Sequence, residues 1–177
     1  MNFEKIGSLD TSMAASELIG SPLWDAFTLR QDFVGSPHRD TKCIPLRGAK
    51  EFIESYKPRV KRSRTAYSHY LPHTMALINR ALSGMPVKTV GNVLAVALQP
   101  GGWVRPHIDE GAYPEHFERF HIAVTSPFFN WFKVEDEFFY PKQGDIFFFN
   151  HRATHSVGNS SKGDARIHII VDVTLKE

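Results

Sequence analysis

The sequence is poor in cysteine and contains no long apolar stretch. Cys43 is the only cysteine among 177 residues, which excludes an intramolecular disulfide. The first residues show no charged segment followed by an apolar one, the pattern of a secretory signal. These two features predict a reducing, cytoplasmic location. No run of about eighteen apolar residues occurs either, so we expect no membrane-spanning helix.

A dominant charge of one sign is also missing. The 21 lysines and arginines are nearly balanced by 19 aspartates and glutamates, and the formal net charge is +2. A total this small predicts no long-range attraction to a polyanion, which makes a nucleic-acid partner unexpected. A local excess of cations occurs from Lys57 to Arg64. This basic run indicates either a solvated face or a site for phosphate or an acidic substrate.

Length and composition favour one globular domain. The chain is 42% hydrophobic and 23% charged, as is typical of folded proteins. Its 177 residues suffice for a full hydrophobic core and are too few for two ordinary domains. We therefore expect residues 1–177 to form a single domain.

Helix signals lie in the N-terminal half. A capping group at Asp10–Ser12 predicts a helix that ends before Gly20, where Pro22 prevents continuation. Further helices are predicted over Lys50–Tyr56 and Thr74–Leu82. We expect them to pack on one face of a sheet.

From Val90 onward, β-branched and aromatic residues come in short runs separated by turn residues. The plainest turns are Gln99–Gly102 and Lys142–Asp145. This pattern predicts a mainly β (α+β) fold, and we favour a double-stranded β-helix, the jelly-roll form, with the N-terminal helices on one sheet. The predicted strands are Val90–Leu98, Val104–Ile108, Phe120–Ser126, Asn130–Val134, Glu137–Tyr140, Asp145–Phe149 and Ile167–Val173.

Three residues have the chemistry of metal ligands. His107 and Asp109 lie two residues apart near a strand end, so that both side chains point to the same face. His155 follows the apolar strand Ile146–Phe149. Two imidazoles and one carboxylate form the facial triad of non-haem iron oxygenases, which leaves coordination positions open. A His-x-Asp pair alone is more often a solvated loop, so the interpretation depends on its context.

Arg166 provides part of that context. It begins the last predicted strand, eleven residues after His155. An arginine there can aim two parallel donors at a carboxylate inside an apolar barrel. The alternative is an arginine at a strand edge in water.

Five motifs follow one another between Leu98 and Thr174. They are Gln99–Gly102 followed by Val104–His107, Arg119–Val124, Gly144–Phe149, His155, and Arg166 with Ile169–Val173. In these motifs the stretch resembles the aspartyl/asparaginyl β-hydroxylase group of 2-oxoglutarate oxygenases, which also resembles bacterial hydroxylases of free amino acids. Upstream, His38–Thr41 and Ile44–Arg47 look like an early strand of that group, in a looser match.

The resemblance implies iron ligation by His107 and His155, and contacts to 2-oxoglutarate by Arg119, His121 and Arg166. Asp109 is inferred from ligand chemistry as much as from the resemblance, because some animal members have glycine at this position. The implied cofactor is Fe(II), with 2-oxoglutarate and O2 as cosubstrates. The implied reaction hydroxylates an unactivated C–H bond of an amino acid, free or within a polypeptide.

Two other functions fit part of the pattern. A non-catalytic cupin-like module could hold a metal or a small molecule with the same ligands, but it has no need of the carboxylate contacts expected from Arg166. A nucleic-acid demethylase would use the same iron chemistry. Oxygenases of that type resemble a pattern with a second arginine six residues beyond the first, where this chain has Asp172. Hydroxylation is the leading hypothesis.

Several residues near the motifs carry weaker expectations. Tyr113–Glu118, with His116, is expected to form a substrate-recognition loop. The sequence predicts His151 in a solvent-facing turn and His168 on the outward face of the last strand. Phe147–Phe149 are candidates for an apolar lining of the site, although ordinary core packing is the commoner explanation for each.

Overall fold

Two antiparallel sheets make up most of the computed structural model, which describes residues 1–32 and 34–176. The strands are β1 (Phe3–Ser8), β2 (Thr41–Gly48), β3 (Ser63–Arg64), β4 (Val87–Leu98), β5 (Trp103–His107), β6 (Glu118–Thr125), β7 (Asn130–Val134), β8 (Glu137–Phe139), β9 (Asp145–Phe149), β10 (His155–Asn159) and β11 (Arg166–Leu175). The larger sheet has the order β1-β9-β6-β11-β4-β2-β3, and the smaller sheet has the order β5-β10-β7-β8.

Four short helices accompany the sheets. They are α1 (Ser12–Leu18), α2 (Leu29–Asp32), α3 (Pro72–Ser83) and α4 (Ala112–His116), and 3₁₀ turns occupy Pro22–Asp25, Phe52–Tyr56 and Ala66–Tyr70. In the ranges that the structure describes, no helix has both the length and the apolar character needed to cross a membrane.

The larger sheet separates two regions of the interior. On β11, Ile167, Ile169 and Val171 point to one face and join the core that includes α1 and α3. Arg166 and Ile170 point to the other face, toward the smaller sheet. Successive side chains of a strand alternate between faces, so the same strand builds both the helix-covered core and the space between the sheets.

The predicted jelly-roll architecture and its helix-covered sheet are confirmed. The predicted helix over Thr74–Leu82 corresponds to α3, but Lys50–Tyr56 forms only a short 3₁₀ turn. The strand predictions did not include β1, β3 or β10, and β2 was matched only loosely. These strands lack a clear pattern: β1 lies at the sheet edge and is largely exposed, while β10 reads His-Ser-Val-Gly-Asn.

Close packing on the outer face of the smaller sheet requires a glycine in β10. Gly158 is paired with Trp131 across β10 and β7. A Cβ atom at position 158 would lie 2.2 Å from the indole carbon Cε2 of Trp131. The indole ring therefore lies directly over the backbone of β10, where no side chain fits.

Gly158→Ala should lower the free energy of unfolding by about 3 kcal/mol, because the Trp131 ring must move away from the strand. Urea denaturation monitored by circular dichroism measures this change. Gly163→Ala is the control, since a Cβ there meets nothing within 4 Å. Equal stability of the two variants would contradict the packing argument.

Candidate active site

Two histidines stand side by side on the smaller sheet. His107 ends β5, His155 begins β10, and the two are directly paired across these antiparallel strands. Residues paired in this way point to the same face, and the ring centroids are 4.2 Å apart. Strand pairing thus joins two imidazoles that are distant in the sequence.

Each imidazole is oriented by a nearby backbone carbonyl. The Nδ1 atom of His107 lies 2.8 Å from the carbonyl oxygen of Arg105, and that of His155 lies 3.0 Å from the carbonyl oxygen of Ala153. A carbonyl can only accept, so Nδ1 carries the proton and Nε2 keeps its lone pair. Burial lowers the pKa of His155 to about 4, which leaves this ring neutral at pH 7, as metal ligation requires. Both histidines are therefore set to bind a metal through Nε2.

Asp109 adds an acidic donor just beyond β5. Its backbone N–H donates to the carbonyl oxygen of His151, and its Oδ1 lies 3.6 Å from Nε2 of His107. His107, Asp109 and His155 each contribute one possible ligand atom, and these atoms lie within 4.8 Å of one another. Two imidazole nitrogens and one carboxylate oxygen suit ferrous iron and leave its other positions open. The donor set therefore fits this metal.

Arg119 holds the carboxylate of Asp109. Its Nη1 donates to Oδ2 of Asp109, while its Nε and Nη2 donate to the carboxylate oxygens of Asp172 at 2.7 and 3.1 Å. Arg119 and Asp172 are paired across β6 and β11. Burial alone would raise the pKa of Asp109, but its electrostatic surroundings, with the charge of Arg119 as the largest part, lower it. Asp109 is thus ionised and oriented.

A buried tyrosine completes this network. The hydroxyl of Tyr113 donates to Oδ2 of Asp172 at 2.8 Å and accepts from the backbone N–H of Asn92 at 2.9 Å. Burial and the charge of Asp172 raise the pKa of Tyr113, so the phenol keeps its proton. A Cβ atom at Gly91 would lie 2.7 Å from the tyrosine oxygen, and only glycine allows this approach. These hydrogen bonds connect α4, through Asp172 and Arg119, to the carboxylate of Asp109.

The larger sheet contributes a buried guanidinium and two imidazoles. Arg166 and His168 lie on β11 and His121 lies on β6, with exposed fractions of 4%, 0% and 4%. Nδ1 of His168 lies 3.0 Å from Nη2 of Arg166 and 3.2 Å from Nδ1 of His121. Burial lowers the pKa of both histidines well below the ordinary value. Both rings are therefore neutral, and Arg166 is the charged member of the group.

Arg166 has no acidic partner among residues 1–32 and 34–176. Its buried Nε makes no hydrogen bond there, and its guanidinium lies 5.6 Å from the ring centroid of Phe132. Burial lowers the pKa of Arg166 because the charged form is desolvated. Arg166 lines the same space as His107 and His155. A buried cation without a counter-ion is costly, and the carboxylate of a ligand would remove that cost.

A larger cavity of about 630 Å³ opens beside the triad. Its walls include His107, Asp109 and Arg119, and α4 contributes Tyr113 and Pro114. This volume is in the range of small-molecule binding pockets. The predicted recognition loop, Tyr113–Glu118, thus lines the cavity with its first two residues. His116 of the same loop is exposed and packs against its neighbour Phe117.

Two predictions about histidines are wrong. His168 does not point outward but is fully buried, because it lies two residues from Arg166 on one strand and shares its face. His151 is not in solvent: it is 2% exposed, and its Nδ1 lies 3.8 Å from Oδ2 of Asp109. The backbone hydrogen bond between His151 and Asp109 folds this turn against the site.

The contacts of Arg119 differ from the predicted role in binding 2-oxoglutarate. Its Nε, Nη1 and Nη2 atoms all donate to Asp109 and Asp172. The cause is Asp172, which occupies the facing position on β11 and for which the sequence predicts no contact with Arg119. Arg166 and His121 remain directed at the space beside the triad.

Other residues of the site were not predicted or were predicted only as alternatives. His38 stands edge-on to His107 with the ring centroids 5.1 Å apart, and its Nε2 lies 3.3 Å from Nη2 of Arg30. Phe147–Phe149 were predicted as a possible apolar lining of the site. Phe149 lines the space beside the triad, whereas Phe148 packs toward the helices. The loosely matched segment His38–Thr41 was the only sequence signal for His38.

The jelly-roll fold and the donor set together define a non-haem iron oxygenase. A family model described as aspartyl/asparaginyl beta-hydroxylase matches residues 3–175, and the chain belongs to this family of 2-oxoglutarate-dependent hydroxylases. A comparison with curated protein sequences finds no match.

Solved structures support the fold. A prolyl hydroxylase from Trichoplax adhaerens, in complex with a hypoxia inducible factor peptide fragment, has a TM-score of 0.59 at 12% identity, covering 97% of this chain and 81% of its own. The viral collagen prolyl hydroxylase from Paramecium Bursaria Chlorella virus-1, in its 2OG complex, has a TM-score of 0.56 at 11% identity, covering 100% and 97%. At such identities the likeness concerns the fold.

Asp172→Asn should weaken Fe(II) binding roughly 10- to 100-fold, because Arg119 would keep only Asp109 as an ionic partner and would compete with the metal for it. Anaerobic Fe(II) titration of the folded protein measures the affinity, with folding checked by circular dichroism. The control is Asp136→Asn in an exposed turn. A folded Asp172→Asn protein with unchanged affinity would show that Arg119 does not act on the triad.

Proposed function

We propose that the chain hydroxylates an amino acid, free or within a polypeptide, with Fe(II) held by His107, Asp109 and His155. The observation that carries the proposal is the position of Arg166, a buried cation without an acidic partner in the described ranges, in the same space as the histidine ligands. A site that only stored a metal would not need this cation. A carboxylate-bearing cosubstrate does need it.

The proposed roles follow from the contacts. Arg166 binds the distal carboxylate of 2-oxoglutarate, and His121 lies beside it through the shared contact with His168. Arg119 acts as a positioning residue, because its donors hold Asp109 in the orientation a ligand needs. O2 is the oxidant, and iron and 2-oxoglutarate, when bound, would activate it, with 2-oxoglutarate oxidised to succinate and carbon dioxide; the protein supplies orientation and a pocket that limits water.

The substrate is proposed to enter through the cavity of about 630 Å³, because this cavity reaches His107 and Asp109 directly. Its volume suits an amino acid or a short peptide segment. The Trichoplax prolyl hydroxylase is described in complex with a peptide fragment, which is consistent with a peptide substrate in this fold. We also propose a cytoplasmic location, based on the single cysteine, Cys43, which cannot form an intramolecular disulfide.

Succinate release tests the function. Fe(II)-loaded protein is incubated with 2-oxoglutarate and a panel of amino acids and peptides in air, and succinate and hydroxylated product are measured by mass spectrometry. We expect turnover that needs oxygen and that is stimulated by at least one member of the panel. If no oxygen-dependent turnover occurs, the cupin-like binding module becomes the better hypothesis.

Two substitutions should separate the metal from the cosubstrate. Arg166→Ala should weaken the binding of 2-oxoglutarate roughly 100-fold, because a buried charge-assisted hydrogen-bonded pair is lost. The binding of Fe(II) should be retained. Asp109→Ala should instead lose Fe(II). Anaerobic calorimetry and metal analysis measure both affinities, and Arg105→Ala, an exposed arginine of β5, is the control. Stoichiometric iron in Asp109→Ala would refute the ligand assignment.

A further inference from the structure

Two arginines face each other at the far end of the larger sheet. Arg47 of β2 is directly paired with Arg64 of β3. Like charges placed opposite each other destabilise an antiparallel pair. Burial and then the neighbouring charges of Arg62 and Arg64 lower the pKa of Arg47, which reflects the same repulsion. The pairing therefore favours an anion between the two guanidinium groups.

Neither arginine has an acidic partner in residues 1–32 and 34–176. The Nε of Arg47 donates to the carbonyl oxygen of Val90 at 3.2 Å, which leaves its terminal nitrogens available. Arg64 is exposed and forms no ion pair with a described residue. Lys50 lies on the same cavity wall. This wall therefore presents cations with donors to spare.

A neighbouring arginine of the basic run shows the contrast. Arg62 is 9% exposed, and its donors go to Oδ1 of Asn92 and to backbone carbonyls of residues 55, 57, 58 and 60. Arg62 thus stabilises the conformation of the segment that leads to Arg64. The basic run contains both a structural arginine and one that faces the cavity.

Among the described residues, the acidic side chains that line the cavity are too few to neutralise Arg47, Arg64 and Lys50. Its acidic wall residues are Asp109, Asp172 and Glu110, and the first two are bound to Arg119. Arg47 and Arg64 line the same cavity as His107 and Asp109, at the β2–β3 edge of the sheet. A substrate in this cavity can therefore meet the metal site and the arginine pair together.

We propose that Arg47 and Arg64 bind an anionic group of the substrate, a carboxylate or a phosphate, carried on a part remote from the carbon that reacts. Arginine is suited to this role because its planar fork donates two parallel hydrogen bonds to carboxylate or phosphate oxygens. The inference rests on the proposed function for the identity of the ligand as a substrate. The anion site itself does not depend on turnover.

Binding of inorganic sulfate tests the site without catalysis. Sulfate is titrated calorimetrically at low ionic strength into the protein loaded with Mn(II) and 2-oxoglutarate, so that Arg166 is occupied. We expect one sulfate per chain, and at least tenfold weaker binding in Arg47→Gln and in Arg64→Gln. Lys61→Gln removes an exposed cation of the same run that does not line the cavity, and should change the affinity less than twofold.

Absence of sulfate binding, or equal weakening in all three variants, would overturn the proposal, since the latter shows only general surface charge. If Arg47→Gln does not fold, Arg64→Gln alone tests the proposal. Arg64 is exposed, so its substitution should leave the fold intact.

Paired substrates distinguish carboxylate from phosphate. Peptides that differ only in glutamate against glutamine, or phosphoserine against serine, are compared by oxygen-dependent succinate release. The charged member of one pair should have at least a tenfold lower KM, and Arg64→Gln should abolish this preference while the uncharged member is still turned over. Equal KM values within both pairs would refute the inference. Sulfate binding without turnover would instead count against the proposed function and leave the anion site established.

Discussion

Two imidazoles can bind one cation only if each presents its lone pair to it, and the rest of the site depends on this constraint. Here the pairing of β5 with β10 places His107 beside His155, and two backbone carbonyls select the protonated nitrogen of each ring. Neither effect requires the metal. The carboxylate of Asp109 then completes a donor set that the sheet has already arranged. The placement and orientation of the two ligand rings are therefore largely a property of backbone geometry.

Charge is divided between the two sheets that enclose the site. Asp109 and Asp172 share the single positive charge of Arg119, so the acidic side of the site keeps an excess of negative charge before any ligand binds. Arg166 on the larger sheet is not balanced by any described residue. This distribution of charge supports the proposal that an anionic cosubstrate binds to Arg166 rather than to Arg119. The same principle distinguishes Arg62, which is satisfied by carbonyls, from Arg64, which is not.

Much of this arrangement could be predicted from the sequence. The predictions succeeded where the residue types are those of metal ligands, or where side chains alternate regularly along a strand. The strands that carry His121 and Arg166 contain clear apolar runs, and the jelly roll followed from such runs, whereas His107 was found from its spacing to Asp109. His168 could have been placed correctly too, because a two-residue period that turns Arg166 inward also turns His168 inward. Asp172 follows from the same period. Tyr113 and His151 could not be placed, because their burial depends on loops whose course is set by distant contacts with Asp172 and Asp109.

The contacts around the three ligands have a consequence for the cost of binding a metal. Arg119 holds the carboxylate of Asp109, and backbone carbonyls hold the imidazoles of His107 and His155. Side chains that the protein itself orients lose little rotational freedom when a ligand arrives. The triad is therefore preorganised, and a smaller share of the metal's binding energy is spent on ordering its ligands.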